Sequence, residues 1–538
     1  MQQFGTFDYV IVGAGSAGCL VANRLSRDPG TTVLLIEAGG KDDYFWIDIP
    51  VGYLYTIANP RTDWCYKTEP DEHLAGRSVH YARGKGLGGC SSINAMIHMR
   101  GQKSDWDFWA SLGNRGWSWD DVLPIFRSLE DYEGGEVDAY GVGGEVRVEN
   151  PRVRWDILDA FREAAAECGI PSVNGFNGGD NFGCAYFQMT QRRGRRWSAT
   201  RAFLRPALHR PNLKILTHAH VQKLQFSGKD CVGLQLLLDN EQFSVKANRE
   251  TILAAGAIGS PQLLQLSGIG SPMHLSQYGI NVVHELPGVG ENLHDHLQIR
   301  MQYKVKNART LNGIANRWWG KAAMALEYFA FRTGPLTMPP SQLGAFARSD
   351  PAQASPDIEW HVQPLSLDKF GDPLHNFPAI TPSVCNLRPA SRGWVRIRSG
   401  DPAAHPEIKL NYLKEEQDRQ VAVAAMRFTR RIMAARALAN YQPEEYRPGF
   451  SIDSDSELQK AAGELGTTIF HPVGTCKMGN DRLAVVDDEL RVHGIGRLRV
   501  IDASVMPRIT SGNTNAPTYV IAEKGSRAIL KSRGGGPT

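Results

Sequence analysis

Residues 7–37 leave little freedom in how this chain begins to fold. Residues 7–12 are a short apolar, β-branched run, which predicts a buried strand. Gly13-Ala14-Gly15-Ser16-Ala17-Gly18 follows, and Cys19, Leu20, Ala22 and Leu25 then recur on one helical face until Pro29-Gly30 stops the helix. Thr32 to Ile36 forms a second apolar strand that ends at Glu37. The three glycines meet three separate demands. Gly13 permits a tight turn, Gly15 lets a pyrophosphate approach the backbone, and Gly18 lets helix and strand pack closely. The helix N-terminus at Ser16 and Ala17 offers free N–H groups to phosphate. Glu37, with Ala38 beside it, stands where a carboxylate accepts hydrogen bonds from ribose hydroxyls. A glycine triplet alone is weak evidence. With its strand, helix, second strand and acid, this one predicts a dinucleotide site, without separating FAD from NAD.

Composition removes several alternatives. The chain of 538 residues allows two to four folding units, or one large composite fold. With 60 basic and 56 acidic residues and a net charge of +4, it shows no basic face that would favour nucleic acid. The one basic cluster, Arg192-Arg193-Gly194-Arg195-Arg196, is short and reads as a solvated loop. Cys19, Cys65, Cys90, Cys168, Cys184, Cys231, Cys385 and Cys476 include no CxxC pair, so they read as free thiols in a reducing compartment. His294-Asp295-His296 lacks a further ligand cluster and reads as a structural turn, so no metal is expected. There is no signal-peptide pattern and no apolar run of about 18 residues. The expectation is a cytoplasmic protein without a transmembrane segment, with peripheral attachment to the inner membrane left open.

Along the chain, residues 40–82 read as an irregular, aromatic-rich loop of the kind that covers a site. Residues 212–255 read as short strands, with Gly256 turning into a helix from Pro261 to Leu266. Further helices are expected over 316–331 and 416–438, and the tail 531–538 is expected to be flexible.

Three more blocks carry a family signature. They are Gly84-Lys85-Gly86-Leu87-Gly88-Gly89-Cys90-Ser91-Ser92-Ile93-Asn94; Gly256-Ala257-Ile258-Gly259-Ser260-Pro261-Gln262-Leu263-Leu264 with Ser267-Gly268-Ile269-Gly270; and His471-Pro472-Val473-Gly474-Thr475-Cys476-Lys477-Met478-Gly479 with Asp502-Ala503-Ser504 and Ser511-Gly512-Asn513-Thr514-Asn515. With the N-terminal unit, the chain resembles the glucose–methanol–choline (GMC) oxidoreductases over nearly its whole length, and within them the choline dehydrogenase-like, FAD-dependent alcohol dehydrogenase branch. The resemblance implies an α/β, Rossmann-like FAD domain built from residues 6–155, 196–300 and 465–530. It implies an α+β substrate domain, an antiparallel sheet with helices, from 156–195 and 301–464. It places Gly84, Gly88, Gly89, Ser91, Asn94 and Ala95 along the diphosphate and isoalloxazine, Val221 beside the adenine, Asp502 and Ala503 near the ribityl–diphosphate side, and Asn515 near the flavin. Some members hold FAD covalently through a histidine next to the Asn94 position. Here that residue is Ile93, so non-covalent FAD is expected.

Oxidising an alcohol requires a proton acceptor beside the hydroxyl and a hydride acceptor beside the carbon. The resemblance assigns the first role to His471, whose side-chain type titrates near neutrality, with hydride passing to flavin N5. Asn513 is the expected partner that orients the substrate oxygen, and the alignment leaves the choice between Asn513 and Asn515 open. The expected substrate is a small-molecule alcohol. The expected acceptor is non-oxygen, of quinone, cytochrome or dye type. An oxidase using O2 and a non-redox, hydroxynitrile-lyase-like enzyme stand as alternatives. Trp46, Trp318, Trp319, Tyr328 and Phe331 are candidate pocket walls, although aromatics at helical spacing more often belong to a core. Glu359 and His361 alternate on an expected strand of the substrate domain, facing either toward the flavin or away from it. Oligomeric state is not legible.

Overall fold

A computed structural model describes residues 2–135, 139–369 and 371–534. The last four residues of the expected flexible tail lie outside them. The N-terminal unit folds as β1 (Gln2–Val12), α1 (Ser16–Leu25) and β2 (Val33–Ile36). Val10, Ile11, Leu34 and Leu35 are fully buried, as a parallel sheet covered on both faces requires.

β2 pairs in parallel with Leu213–Leu216 on one side and with β1 on the other. β1 pairs in parallel with Glu241–Leu253, whose last three residues pair in parallel with Leu498–Val500. Five parallel strands thus come from widely separated stretches of chain. The first part of Glu241–Leu253 also closes an antiparallel meander with Asp230–Leu238 and Ala219–Ser227. The expected short strands of 212–255 are therefore four, two of them nine residues long and one thirteen. The helix after them runs Gly256–Leu266, and the C-terminal helix Asn515–Gly534 packs on α1.

A second sheet of eight strands is antiparallel throughout. Its centre is Leu297–Arg300, Ala379–Asn386, Ile358–Gln363 and Leu343–Ala347. The two faces differ in chemistry. One carries Ile299, Val384, Ile358, Trp360 and Val362 and packs against Val421, Ala425 and Met426 of the helix Glu416–Met433. The other carries Gln298, Arg300, Ser383, Cys385, Glu359, His361 and Gln363, because cross-strand partners share a face. That face is polar and nonetheless buried.

Two readings change. Residues 40–82 are not simply irregular: they hold the short helical turns Phe45–Asp48, Pro50–Gly52 and Tyr53–Thr56 and a hairpin of Tyr66–Lys67 with His80–Tyr81. The aromatic-rich helix runs Trp318–Phe331, but of its aromatics Tyr328 alone is buried; Trp318, Trp319, Phe329 and Phe331 are exposed.

Candidate active site

Between the first sheet and the polar face of the second lies a cavity of about 300 Å³. Gly13, Gly15, Ser16, Ala17, Glu37, Ala38, Gly84, Gly89, Asn94, Ala95, Val221, Asp502, Ala503 and Asn515 line it, as do His471 and Asn513. Gly18, Gly88 and Ser91, expected beside the cofactor, do not line it. The candidate aromatics Trp46, Trp318, Trp319, Tyr328 and Phe331 do not line it; the aromatic walls are Tyr53, Trp64, Tyr66 and Phe470.

The glycines divide by what a side chain would meet. A Cβ on Gly13, at φ +99°, would lie 2.5 Å from the Ala254 carbonyl oxygen, and one on Gly18 would lie 1.9 Å from the Gly13 oxygen. Both positions serve the fold. At Gly15 the nearest atom is the Gly89 Cα, 4.0 Å away, and the position faces the cavity. The backbone there is open for a ligand to approach. Gly15 is also the N-cap of α1 and supplies no capping side chain, so the first-turn N–H groups remain available. The N-terminus of Asn515–Gly534 meets the same place, with Ser16 Oγ donating to Asn515 Oδ1 at 2.7 Å. Two positive helix ends converge on one cavity, which suits the diphosphate of a dinucleotide.

Glu37 does more than the sequence suggested. Its carboxylate accepts from the backbone N–H groups of Ala14 (2.9 Å), Gly39 (2.8 Å) and Gly86 (3.0 Å). It thereby ties the first glycine block to the second. Burial pushes its carboxyl pKa up, and those three donors oppose the rise. Gly88 N–H donates to the Ala14 carbonyl, and Ser91 Oγ donates to the Gly88 carbonyl while accepting from Ala199 N–H. Asp502 accepts from Gly256 N–H, Ser260 Oγ and Ser504 N–H, so it fixes the start of the helix Gly256–Leu266. Arg196, read as part of a solvated loop, is instead buried. It donates to the carbonyls of Ile47, Ser91 and Asn94 and to Asn94 Oδ1, and burial lowers its pKa to about 9.

At the other end, His471 follows Phe470, a non-glycine residue at φ +66°. Donation from Phe470 N–H to Thr468 Oγ1 and from Arg83 Nη2 to the Phe470 carbonyl holds this uncommon backbone state. His471 N–H donates to Asp295 Oδ1 at 2.7 Å. The Asp295 carboxylate also accepts from Tyr81, Tyr412 and Thr468 hydroxyls. The hydrogen bonds fix the imidazole tautomer. His296 Nε2 lies 3.1 Å from the Leu387 carbonyl, which only accepts, so Nε2 carries the proton and Nδ1 a lone pair. His471 Nδ1, 3.1 Å from His296 Nδ1, must then be the donor. His471 Nε2 is left with its lone pair, accepting from Asn513 Nδ2 at 3.0 Å. Asn513 Oδ1 is buried without a partner, whereas Asn515 is engaged with Ser16.

Burial, followed by the neighbouring His296, His361 and Arg83, holds the His471 pKa well below the usual histidine value. A reaction that uses the neutral His471 imidazole is therefore expected to keep its rate from alkaline pH down past 6.5 and to lose it only in more acid buffer. Anaerobic stopped-flow absorbance across pH checks this, and a fall centred at neutral pH would contradict a neutral buried base.

Two features escaped the sequence. His294 is structural, with Nδ1 against the Asn292 carbonyl and Nε2 accepting from Ile509 N–H, but His296, two residues on, touches His471. Glu359 and His361 point toward the cavity side. His361 and Gln363 line it, and Glu359 Oε1 lies 3.3 Å from His361 Nε2. Glu359, His361 and Cys385 bring one ligand-type atom each within 4.8 Å of one another, where no metal was expected. Their geometry is that of a buried carboxylate–imidazole pair, with Phe187 stacked on His361 at 5.4 Å.

The chain matches the family models of GMC oxidoreductase over residues 7–298 and 389–522. It is 43% identical over 530 residues to an oxygen-dependent choline dehydrogenase of Klebsiella pneumoniae, covering 97% of this chain and 96% of that one. An alcohol dehydrogenase [acceptor] of Pseudomonas putida is 39% identical over 529 residues, covering 98% and 96%. Among solved structures, pyridoxine 4-oxidase from Mesorbium loti superposes with a TM-score of 0.89 at 33% identity, covering 98% and 99%.

Proposed function

Since the chain belongs to the GMC oxidoreductase family, we propose that it oxidises an alcohol to an aldehyde or ketone, with His471 taking the hydroxyl proton and Asn513 orienting the substrate oxygen. It is an FAD-dependent oxidoreductase acting on CH–OH groups. The cavity fits that cofactor: Gly15 leaves the backbone open, and two helix ends face the same space. When bound, FAD accepts the hydride that leaves the carbinol carbon.

The observation that carries the proposal is the lone pair on His471 Nε2, turned by the His296 contact toward Asn513. A hydroxyl placed there donates its proton to Nε2. The imidazolium so formed keeps its Nδ1–H bond to His296, and the Asp295 carboxylate holds the His471 backbone N–H. The unpartnered Asn513 Oδ1 and its amide N–H give the pocket one acceptor and one donor with which to hold the substrate. Ile93 lines the cavity where a covalent link would require a histidine, so FAD is held non-covalently. Electrons then pass to a non-oxygen acceptor of quinone, cytochrome or dye type. The oxygen-dependent choline dehydrogenase of Klebsiella pneumoniae supports O2 as the second reading.

The carboxylates lining the cavity, Glu37 and Asp502, are both at the cofactor end and both committed to donors. The substrate end offers Gln298, Ser341, His361 and Gln363. An anaerobic panel of aliphatic, aromatic, polyol and quaternary-ammonium alcohols, followed by flavin bleaching, tests the reaction. Neutral alcohols are expected to reduce the enzyme faster than choline, and bleaching by none of them would overturn alcohol oxidation. Comparing dye reduction with peroxide formation on the best substrate then separates the two acceptors.

A further inference from the structure

The helix Trp318–Phe331 presents to water what a surface helix normally hides. Trp318, Trp319, Leu326, Phe329 and Phe331 are each more than half exposed. Phe45, 57% exposed, extends the apolar surface by stacking on Phe329 at 6.3 Å. A contiguous patch of this kind on a water-soluble surface marks an interaction site.

Cations rim the patch. Arg317 and Lys321 stand at the start of the helix and Arg332 at its end. The hairpin tip that carries Arg192, Arg193 and Arg195 reaches that same end, where the Tyr328 hydroxyl donates to the Gly194 carbonyl at 3.0 Å. None of these six cations forms a salt bridge among the described residues. One acid, Glu327, lies on the helix, and it accepts from Thr333 Oγ1.

We propose that this helix docks flat on the surface of a bilayer containing anionic lipid. Its Trp, Leu and Phe side chains would enter the boundary between headgroups and acyl chains, with the six cations among the lipid phosphates. A second copy of the chain fits the same surface poorly. A two-fold interface would set the cationic rim against its own image, whereas anionic headgroups neutralise it. No helix among the described residues is long and apolar enough to cross a membrane, so the attachment lies on the surface. The opposite, buried side of the helix leads to the cavity: Tyr328 packs with Ile49, Val51 and Tyr53, and Tyr53 is itself a cavity wall.

Co-sedimentation of the holoenzyme with vesicles tests this independently of the reaction. The protein is expected to pellet with phosphatidylcholine–phosphatidylglycerol vesicles, and far less with phosphatidylcholine alone or in high salt. The variant Trp319→Ser/Leu326→Ser/Phe329→Ser should stay in the supernatant. Arg317→Glu/Lys321→Glu should weaken partition by about thirty-fold or more, at roughly 1 kcal/mol per cation. Unchanged flavin absorbance and alcohol-dependent bleaching show that both variants are folded. Failure of the wild-type protein to pellet with the anionic vesicles overturns the proposal, as does equal pelleting of the variants. A dimer in sedimentation velocity that the triple-serine variant disperses, without vesicle binding, assigns the patch to a second copy instead.

Discussion

His471→Gln is expected to slow flavin reduction by the alcohol about 10²–10⁴-fold, on the order of 3–5 kcal/mol of transition-state stabilisation, with FAD still bound. Glutamine preserves a polar side chain that Asn513 Nδ2 and His296 can reach, so the wall need not collapse. It has no basic nitrogen, and the hydroxyl proton then has no strong acceptor at that position. Single-turnover bleaching under nitrogen isolates this step from the later passage of electrons to an acceptor. Retention of the wild-type rate, with the flavin spectrum intact, would remove His471 from the chemistry.

Gly15→Val should have its effect one step earlier, producing a folded protein without its cofactor. Nothing lies within 3.4 Å of the Gly15 Cβ position, and its φ of −78° suits any residue. The valine side chain would occupy the space the diphosphate needs, and FAD affinity should fall at least about a thousand-fold, on the order of 4 kcal/mol. Gly13→Val and Gly18→Val make the contrast, since each drives a Cβ into backbone and should yield little soluble protein. The read-out is circular dichroism for folding and flavin fluorescence for binding. Acid precipitation of the wild-type protein completes it: yellow colour left in the supernatant fits Ile93 in place of a linking histidine. A yellow Gly15→Val protein would show that the diphosphate does not pass over this residue.

The N-terminal unit was legible because all of its determinants are local: strand, turn and helix follow one another within forty residues. The polar face of the second sheet was not. Ile358–Gln363 alternates Ile, Trp and Val with Glu, His and Gln, which ordinarily means one wet face. Here the polar face is covered by the other half of the molecule, and that fact is carried by strands hundreds of residues away. The same limit hid His296. Its neighbours in sequence suggest a turn, and it is the pairing of residues 294–300 with residues 466–473 that brings it against His471. The Trp318–Phe331 helix failed in the opposite direction, since its aromatic spacing matches a core helix and, among the described residues, only its Met324 and Tyr328 are covered. Glu37 was placed correctly at the strand end, but its three backbone partners could not be foreseen, because one of them, Gly86, belongs to a separate block.

The order of strands in the first sheet bears on how the protein is made. β1 and β2 are complete once the first forty residues have been synthesised, but Leu498–Val500, which finishes the parallel array, is translated more than 450 residues later. Its partner is Glu241–Leu253, which at the usual speed of a ribosome waits roughly ten to fifty seconds for it. Throughout that interval the growing chain carries an open sheet edge, and Asp502 and Asn513 are still to be made. A chain stalled before residue 498 leaves the outer edge of Glu241–Leu253 exposed for chaperones to guard.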